Sequence, residues 1–314
     1  MGEQQPIHLR FPGLFGRIQL TFEYLVFKIG TFYKCFEFPK YQELEDGLRD
    51  HCIKRHIKGT IILTPEGINA TISSNKDKAL EDLNLYLNNL VGEVVFRFSY
   101  SNKSPFKRLK IKTRKELVPS GTNGKSYNHK GKYLSPSEWH NFIQDSKNIV
   151  IDVRNDYENK VGTFRNSISP DTKNFREFKY FLKKNKKKLK DKNIGIFCTG
   201  GIRCEKSLHS FEEEGLTNIY QLEGGILNFL SESKDKSSWQ GDCFVFDERV
   251  TVTKDLVPGD FRQCYACRRP LSEEDLKRRE YKKGISCHNC FFEKSESDRT
   301  RYAERQKQFD MKKS

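Results

Sequence analysis

Three short apolar runs constrain this chain more than anything else in it: NIVIDVR (148–154), NIGIFC (193–198) and NIYQLE (218–223). A strand with one wet face alternates polar and apolar residues. These runs do not, so both of their faces must be covered, as in a parallel sheet flanked by helices. Helical spacing fills the intervals between them, from about Phe175 to Leu189 and from Cys204 to Glu214. Strands alternating with helices predict an α/β domain with a parallel sheet, over residues 147–238.

A second unit precedes it. TFYKCFEF alternates like a strand, and YQELEDGLRDHCIKRH sets Leu44, Leu48 and Cys52 on one helical face. KGTIILTPEGINATIS reads as two strands around a turn at Pro65 and Gly67. NKDKALEDLNLYLNNL puts Leu80, Leu83, Leu87 and Leu90 on an inner face, and FKRLKIKTR closes the series as a strand. The order β-α-β-β-α-β predicts a ferredoxin-like α+β domain over 29–115, after an N-terminal extension, 1–28. Gly, Asn, Ser and Pro mark 116–146 as a linker. Its GTNGKS has the look of a phosphate-binding loop, but Pro119 stands where the first glycine is required, which excludes that motif. Residues 239–314 form a C-terminal Cys-rich segment and charged tail, in which CFVFDERVTV reads as a strand pair or an extended arm.

The chemistry concentrates at CTGGIR (198–203). Ligands of open parallel sheets bind beyond the carboxyl ends of the strands, and Cys198 sits at such an end. Gly200 and Gly201 allow the loop to curl with its N–H groups inward. The helix that follows turns its positive end, with Arg203, toward the loop. All three favour an anion, so Cys198 is expected to be a nucleophile with a lowered thiol pKa. A buried structural cysteine beside a glycine turn is the plainer alternative. Asp152 and Arg154, at the end of another strand, are supporting candidates, and LEGGILNF repeats the strand, Gly-Gly, helix arrangement. Cys204 either resolves an oxidised or persulfidated Cys198 or packs into the helix.

With DVRNDYE and LEGGILNF flanking CTGGIR, the central segment resembles a rhodanese domain, in which Cys198 carries a persulfide on a six-residue loop. KGTIILTPEGINATIS, VGTFRNSISPDTKNFREF, CTGGIRCEKS, WQGDCFVFDERV and the CYACRRPL…GISCHNC tail occur in that order over about residues 29–295. Together they resemble the tRNA uridine(34) hydroxylase family. The resemblance implies oxygen-dependent hydroxylation of the wobble uridine to 5-hydroxyuridine, with Cys198 as the essential cysteine and molecular oxygen as co-substrate. A plain rhodanese-type sulfurtransferase and a non-catalytic RNA-binding protein are the rival classes.

Charge and cysteine spacing bear on partners and metals. The net charge is +15, which suits a polyanion as well as a merely soluble surface. Lys107, Arg108, Lys110, Lys112, Arg114 and Lys115 form a basic block, with Phe106 and Tyr127 near it to stack on bases. The tRNA anticodon arm is the expected partner. FREFKYFLKKNKKKLKDK is a second basic block or a solvated helix face. Nine cysteines cannot all pair internally. Cys264-x-x-Cys267 and Cys287-x-x-Cys290, nineteen residues apart, suit a structural tetrahedral zinc; reduced thiols or two redox-labile pairs are the alternatives. No nicotinamide or flavin motif occurs, and no histidine begins an H-x-D or H-x-E iron motif. No apolar run approaches the roughly 18 residues that cross a membrane, and the first residues are too interrupted for a secretory leader. A cytoplasmic chain without a membrane or protein partner is expected.

Overall fold

The computed structural model describes residues 26–121 and 131–311. The sequence-defined extension up to residue 25, and Tyr127 in the linker, lie outside the described residues.

The N-terminal unit runs β1 (Phe27–Cys35), α1 (Leu44–Lys54), β2 (Lys58–Thr64), β3 (Gly67–Ser74), α2 (Ala79–Val91), β4 (Arg97–Ser101) and β5 (Leu109–Thr113). Its sheet has the order β4-β1-β3-β2-β5. The βαββαβ core is as expected, but the strand that completes it is β4, paired antiparallel with β1. FKRLKIKTR forms β5, an added edge strand parallel to β2. The reason is topological: only a strand leaving α2 beside β1 completes the four-stranded core, and that strand is RFSYS. Leu48 and Cys52 of α1 and Leu80, Leu83 and Leu87 of α2 bury one sheet face with Phe32, Ile61 and Ala70. Leu90 is 52% exposed, contrary to the inner-face reading; it lies in the last turn of a helix that ends at Val91.

The second unit runs β6 (Lys132–Leu134), α3 (Pro136–Gln144), β7 (Ile149–Asp152), α4 (Asp156–Asn159), β8 (Gly162–Phe164), α5 (Phe178–Leu189), β9 (Ile194–Phe197), α6 (Ile202–Glu213), β10 (Ile219–Leu222) and α7 (Gly225–Glu232). The parallel sheet is ordered β6-β10-β9-β7. The three apolar runs form β7, β9 and β10, and both faces of the sheet are covered. Phe178, Leu182, Leu208 and Phe211 of α5 and α6 pack on one face, and Trp139, Ile226 and Phe229 of α3 and α7 on the other.

The linker assignment for 116–146 is corrected here: β6 pairs with β10 in the sheet, and α3 buries Trp139 completely. Ser135 caps that helix through the Glu138 N–H, Glu138 reaches back to the Ser135 N–H, and Pro136 starts the first turn. The boundary at 239 is likewise displaced. β11 (Trp239–Gly241) pairs with β8, while β12 (Cys243–Phe244) and β13 (Thr251–Val252) add Cys243, Val245 and Val252 to the same core.

A third, cysteine-rich segment holds β14 (Arg262–Gln263), β15 (Pro270–Leu271) and α8 (Glu273–Leu276), followed by α9 (Glu296–Met311). No described helix is long and apolar enough to cross a membrane.

Candidate active site

Cys198 follows β9 directly, and the next helix, α6, begins four residues later. Between them the backbone folds back on the thiol: the Gly201 N–H donates to Cys198 Sγ at 3.1 Å. That turn requires φ of +101° at Gly201, a conformation side chains disfavour. The Gly-Gly of α7 has a different reason. A Cβ at Gly225 would stand 2.4 Å from the Cys198 carbonyl oxygen and within 3 Å of the Gly200 and Gly201 nitrogens. Only glycine lets α7 dock on the loop, where the Ile226 N–H donates to that carbonyl at 2.9 Å.

Burial pushes the Cys198 thiol up. The Cys204 thiol, the Arg203 guanidinium and the N–H groups of Cys204 and Arg203 outweigh it and bring the thiol down to about 6. Cys204 moves the other way, well above the ordinary thiol range, through burial and its hydrogen bond to Cys198. Cys204 is fully buried in the core beside Cys198, and both are free thiols.

The arginines differ from expectation. Arg203 does not stand in the loop as a free cation. Its guanidinium pairs bidentately with Glu158 of α4, at 2.6 and 2.7 Å. A guanidinium this buried needs a carboxylate partner, so Arg203 acts on Cys198 through its field from beside the loop. Asp152 and Arg154 pair with each other at 2.6 to 3.2 Å, both fully buried, and Arg154 also donates to the Gly162 carbonyl at 2.6 Å. Arg154 lies over the Phe197 and Trp239 rings, so this pair braces the strand ends behind the loop.

In front of the loop is a cavity of about 570 Å³. Cys198, Thr199, Gly200 and Arg203 form one wall, and Phe246 and Arg249 of the C-terminal arm a second. The third wall is the N-terminal sheet, through Thr31, Tyr33, Thr60, Ile62, Asn69 and Thr71 on the face that α1 and α2 leave uncovered. Sequence reasoning missed Glu158, Asn69, Phe246 and Arg249. Glu158 lies within the quoted DVRNDYE, Asn69 within KGTIILTPEGINATIS, and Phe246 and Arg249 within WQGDCFVFDERV, so the motifs contained all four without marking which side chains face the cavity.

The basic block is divided. Lys110 and Lys112 stand opposite Thr60 and Ile62, on the sheet side that faces the cavity. Lys107 is engaged by Glu248 at 3.4 Å and by the Tyr265 and Phe309 rings. Arg114 donates to the Thr113 carbonyl at 2.7 Å. Arg108 and Lys115 flank the strand as exposed cations. The second block is α5, whose lysines mostly face solvent while Phe178, Leu182 and Leu189 are buried.

Far along the chain, Cys264, Cys267, Cys287 and Cys290 converge with all four sulfurs within 4.8 Å of one another. The separations Cys264–Cys290, Cys267–Cys287 and Cys287–Cys290 are 3.9, 3.7 and 3.8 Å. A tetrahedron of sulfurs at about 2.3 Å from a central ion has edges of about 3.8 Å, so the set can hold a metal.

Two family models match the chain: the UPF0176 acylphosphatase like domain over residues 27–117 and the rhodanese-like domain over 135–232. Proteins described as tRNA uridine(34) hydroxylase from Brucella ovis and Brucella canis are each 40% identical over 288 residues, 90% of this chain and 94% of theirs. A solved rhodanese-related protein from Thermoplasma volcanium is 26% identical, covering 33% of this chain and 95% of its own, with a TM-score of 0.27.

Proposed function

The chain belongs to the tRNA uridine(34) hydroxylase family, and from that premise we propose that it hydroxylates the wobble uridine of tRNA at carbon 5, with Cys198 as the catalytic nucleophile. One observation carries the reading: a thiol brought down to about 6 stands at the wall of a cavity that a second domain closes. A surface thiol for small donors needs no such second wall.

The Cys198 thiolate adds to carbon 6 of the uracil, and the ring electrons move onto carbon 5 and the carbon 4 carbonyl. Carbon 5 then takes one atom of molecular oxygen as the O–O bond breaks, and an external two-electron donor with two protons carries the other atom off as water. Loss of the carbon 5 proton and departure of the thiolate restore the double bond and free Cys198. The Gly201 N–H and the field of Arg203 hold the anion before attack and after release. The anticodon arm lies along the basic edge of the N-terminal sheet, at Lys110 and Lys112. The four-cysteine site holds a structural zinc, since four thiolates leave no open position. The chain works in the cytoplasm, where tRNA is.

Nucleoside mass spectrometry of tRNA from cells lacking the gene tests this. The 5-hydroxyuridine derivatives are expected to vanish, to return with the wild-type gene, and to stay absent with Cys198→Ala. An unchanged nucleoside profile sinks the reading. A second reading, sulfur transfer through a Cys198 persulfide, draws support from the six-residue loop and the adjacent Cys204 thiol. It is favoured if the profile is unchanged and thiosulfate loads sulfur onto Cys198.

A further inference from the structure

The cavity walls differ in chemistry. On the N-terminal sheet, Asn69 of β3 stands in register between Ile62 of β2 and Tyr33 of β1, and all three line the cavity. The Thr31 and Thr71 hydroxyls beside it pair with each other at 3.5 Å. The Asn69 side chain is half-buried, and no described residue hydrogen-bonds its amide. Asn69 is therefore a donor and an acceptor aimed into the cavity from the middle strand of a sheet, where the backbone cannot swing.

On another wall the Phe246 ring is 61% exposed. It is held edge-on by Phe244, at 5.1 Å and 90°, and the Arg203 guanidinium lies 5.7 Å from its centre. An exposed ring fixed in this way is a stacking surface rather than part of a core. A volume of about 570 Å³ falls within the range of sites that enclose a small ligand.

We propose that Asn69 reads the Watson–Crick edge of the target uracil, donating to a ring carbonyl and accepting from N3–H, while Phe246 stacks on the base. A flat ring with adjacent donor and acceptor on one edge is what an amide and a facing aromatic ring accommodate. A wobble base is unpaired, so turning it into the cavity costs only its stacking. Asn69 thereby positions carbon 6 against Cys198 and sets base specificity. The inference rests on the hydroxylase reading and adds the residue that recognises the base.

Binding measurements separate the two. Anticodon stem-loop RNAs carrying uridine or 3-methyluridine at the wobble position are titrated against the full chain by fluorescence anisotropy. The methyl group removes the N3–H donor. Wild type is expected to prefer uridine by about tenfold. Asn69→Thr, which suits a strand flanked by Thr31 and Thr71, shortens the side chain and is expected to bind the two RNAs within about twofold of one another, whereas Asn69→Asp, which keeps the acceptor but loses the donor, is expected to weaken both RNAs and keep the preference for uridine. Thermal melting and the Cys198 alkylation rate report an intact fold in both variants. Phe246→Leu is expected to weaken both RNAs about tenfold and leave their ratio unchanged.

Retention of the tenfold preference in Asn69→Thr, its loss in Asn69→Asp, or its absence in wild type overturns the edge-reading role. Unchanged affinity in Phe246→Leu overturns the stacking role. If cells lacking the gene keep 5-hydroxyuridine while the uridine preference depends on Asn69, the hydroxylase reading fails and the recognition site stands. If hydroxylation is lost without the gene but the preference ignores Asn69, only the recognition site fails.

Discussion

Lys206 of α6 and Glu66 of the turn between β2 and β3 form an ion pair buried between the two domains, with neither side chain more than 2% exposed. The other Glu66 oxygen accepts the Leu117 N–H at 2.6 Å. Because α6 starts at the end of the reactive loop, this pair ties the Cys198 wall of the cavity to the wall that bears Asn69. Beside it, Glu205 accepts from Tyr33 and Tyr133 at the same seam.

Breaking that tie is expected to cost more than the pair itself contributes. Lys206→Met leaves a buried carboxylate without its cation and is expected to destabilise the fold by about 3 to 5 kcal/mol. Glu66→Leu combined with Lys206→Met removes both charges and is expected to recover most of that loss. Urea titration of the two variants and the wild type checks it. A double variant no better than the single one would show that the seam depends on the charges themselves.

The thiol makes a pH prediction. Alkylation of Cys198 by iodoacetamide is expected to rise with pH and reach half its maximum near pH 6, since the thiol is held at about 6. Cys204→Ala removes the hydrogen bond that most favours the thiolate, so the midpoint is expected to move up. The stability linkage has the same sign. Between about pH 6 and the ordinary thiol value the unfolded chain holds a proton here that the fold does not. This site therefore adds stability as pH rises through that window, and loses it as pH falls through about 6. A midpoint at the ordinary thiol value would remove the activated nucleophile.

The four-cysteine site predicts one zinc per chain by metal analysis. Such a segment has a core of little more than Leu271, Leu276, Tyr281 and the cysteines, so its order is expected to depend on a bound metal. Cys287→Ser, or a strong chelator, is expected to make residues 262–290 susceptible to protease while the two α/β units stay folded. A metal-free chain resisting protease over those residues would rule zinc out.

Lys110 and Lys112 predict a salt effect. If both contact phosphates, replacing both with Gln is expected to reduce the slope of log affinity against log salt by about 1.5. The wild-type slope is measured on the same anticodon stem-loop. An unchanged slope places the RNA elsewhere, with α5 the next basic surface to test.

Local features were legible in the sequence to the extent that their physics is local. CTGGIR announced its thiol because strand end, glycines and helix start are consecutive. The four cysteines announced a metal site because thiol ligands have few other uses at that spacing. SPSEW carried a complete capping box, yet its Ser and Pro also suit a loop; the buried Trp139 behind it shows the helix to be part of the core. RFSYS alternates as a strand should, but FKRLKIKTR alternates as well, and only sheet pairing decides which one completes the four-stranded core.

The sequence by itself therefore determined most of the element types, the placing of Cys198 between a strand end and a helix start, and the four cysteines that converge, since each depends on residues near one another in the chain or on rare side-chain chemistry. Tertiary structure alone decided that Arg203 is spoken for by Glu158, that Lys206 finds Glu66, and that Asn69 and Phe246 face Cys198 across one cavity. Those relations join residues 45 to 140 positions apart, or more. They depend on which sheet face is left uncovered after the helices pack, and a single strand's alternation does not reveal which of its two faces that will be.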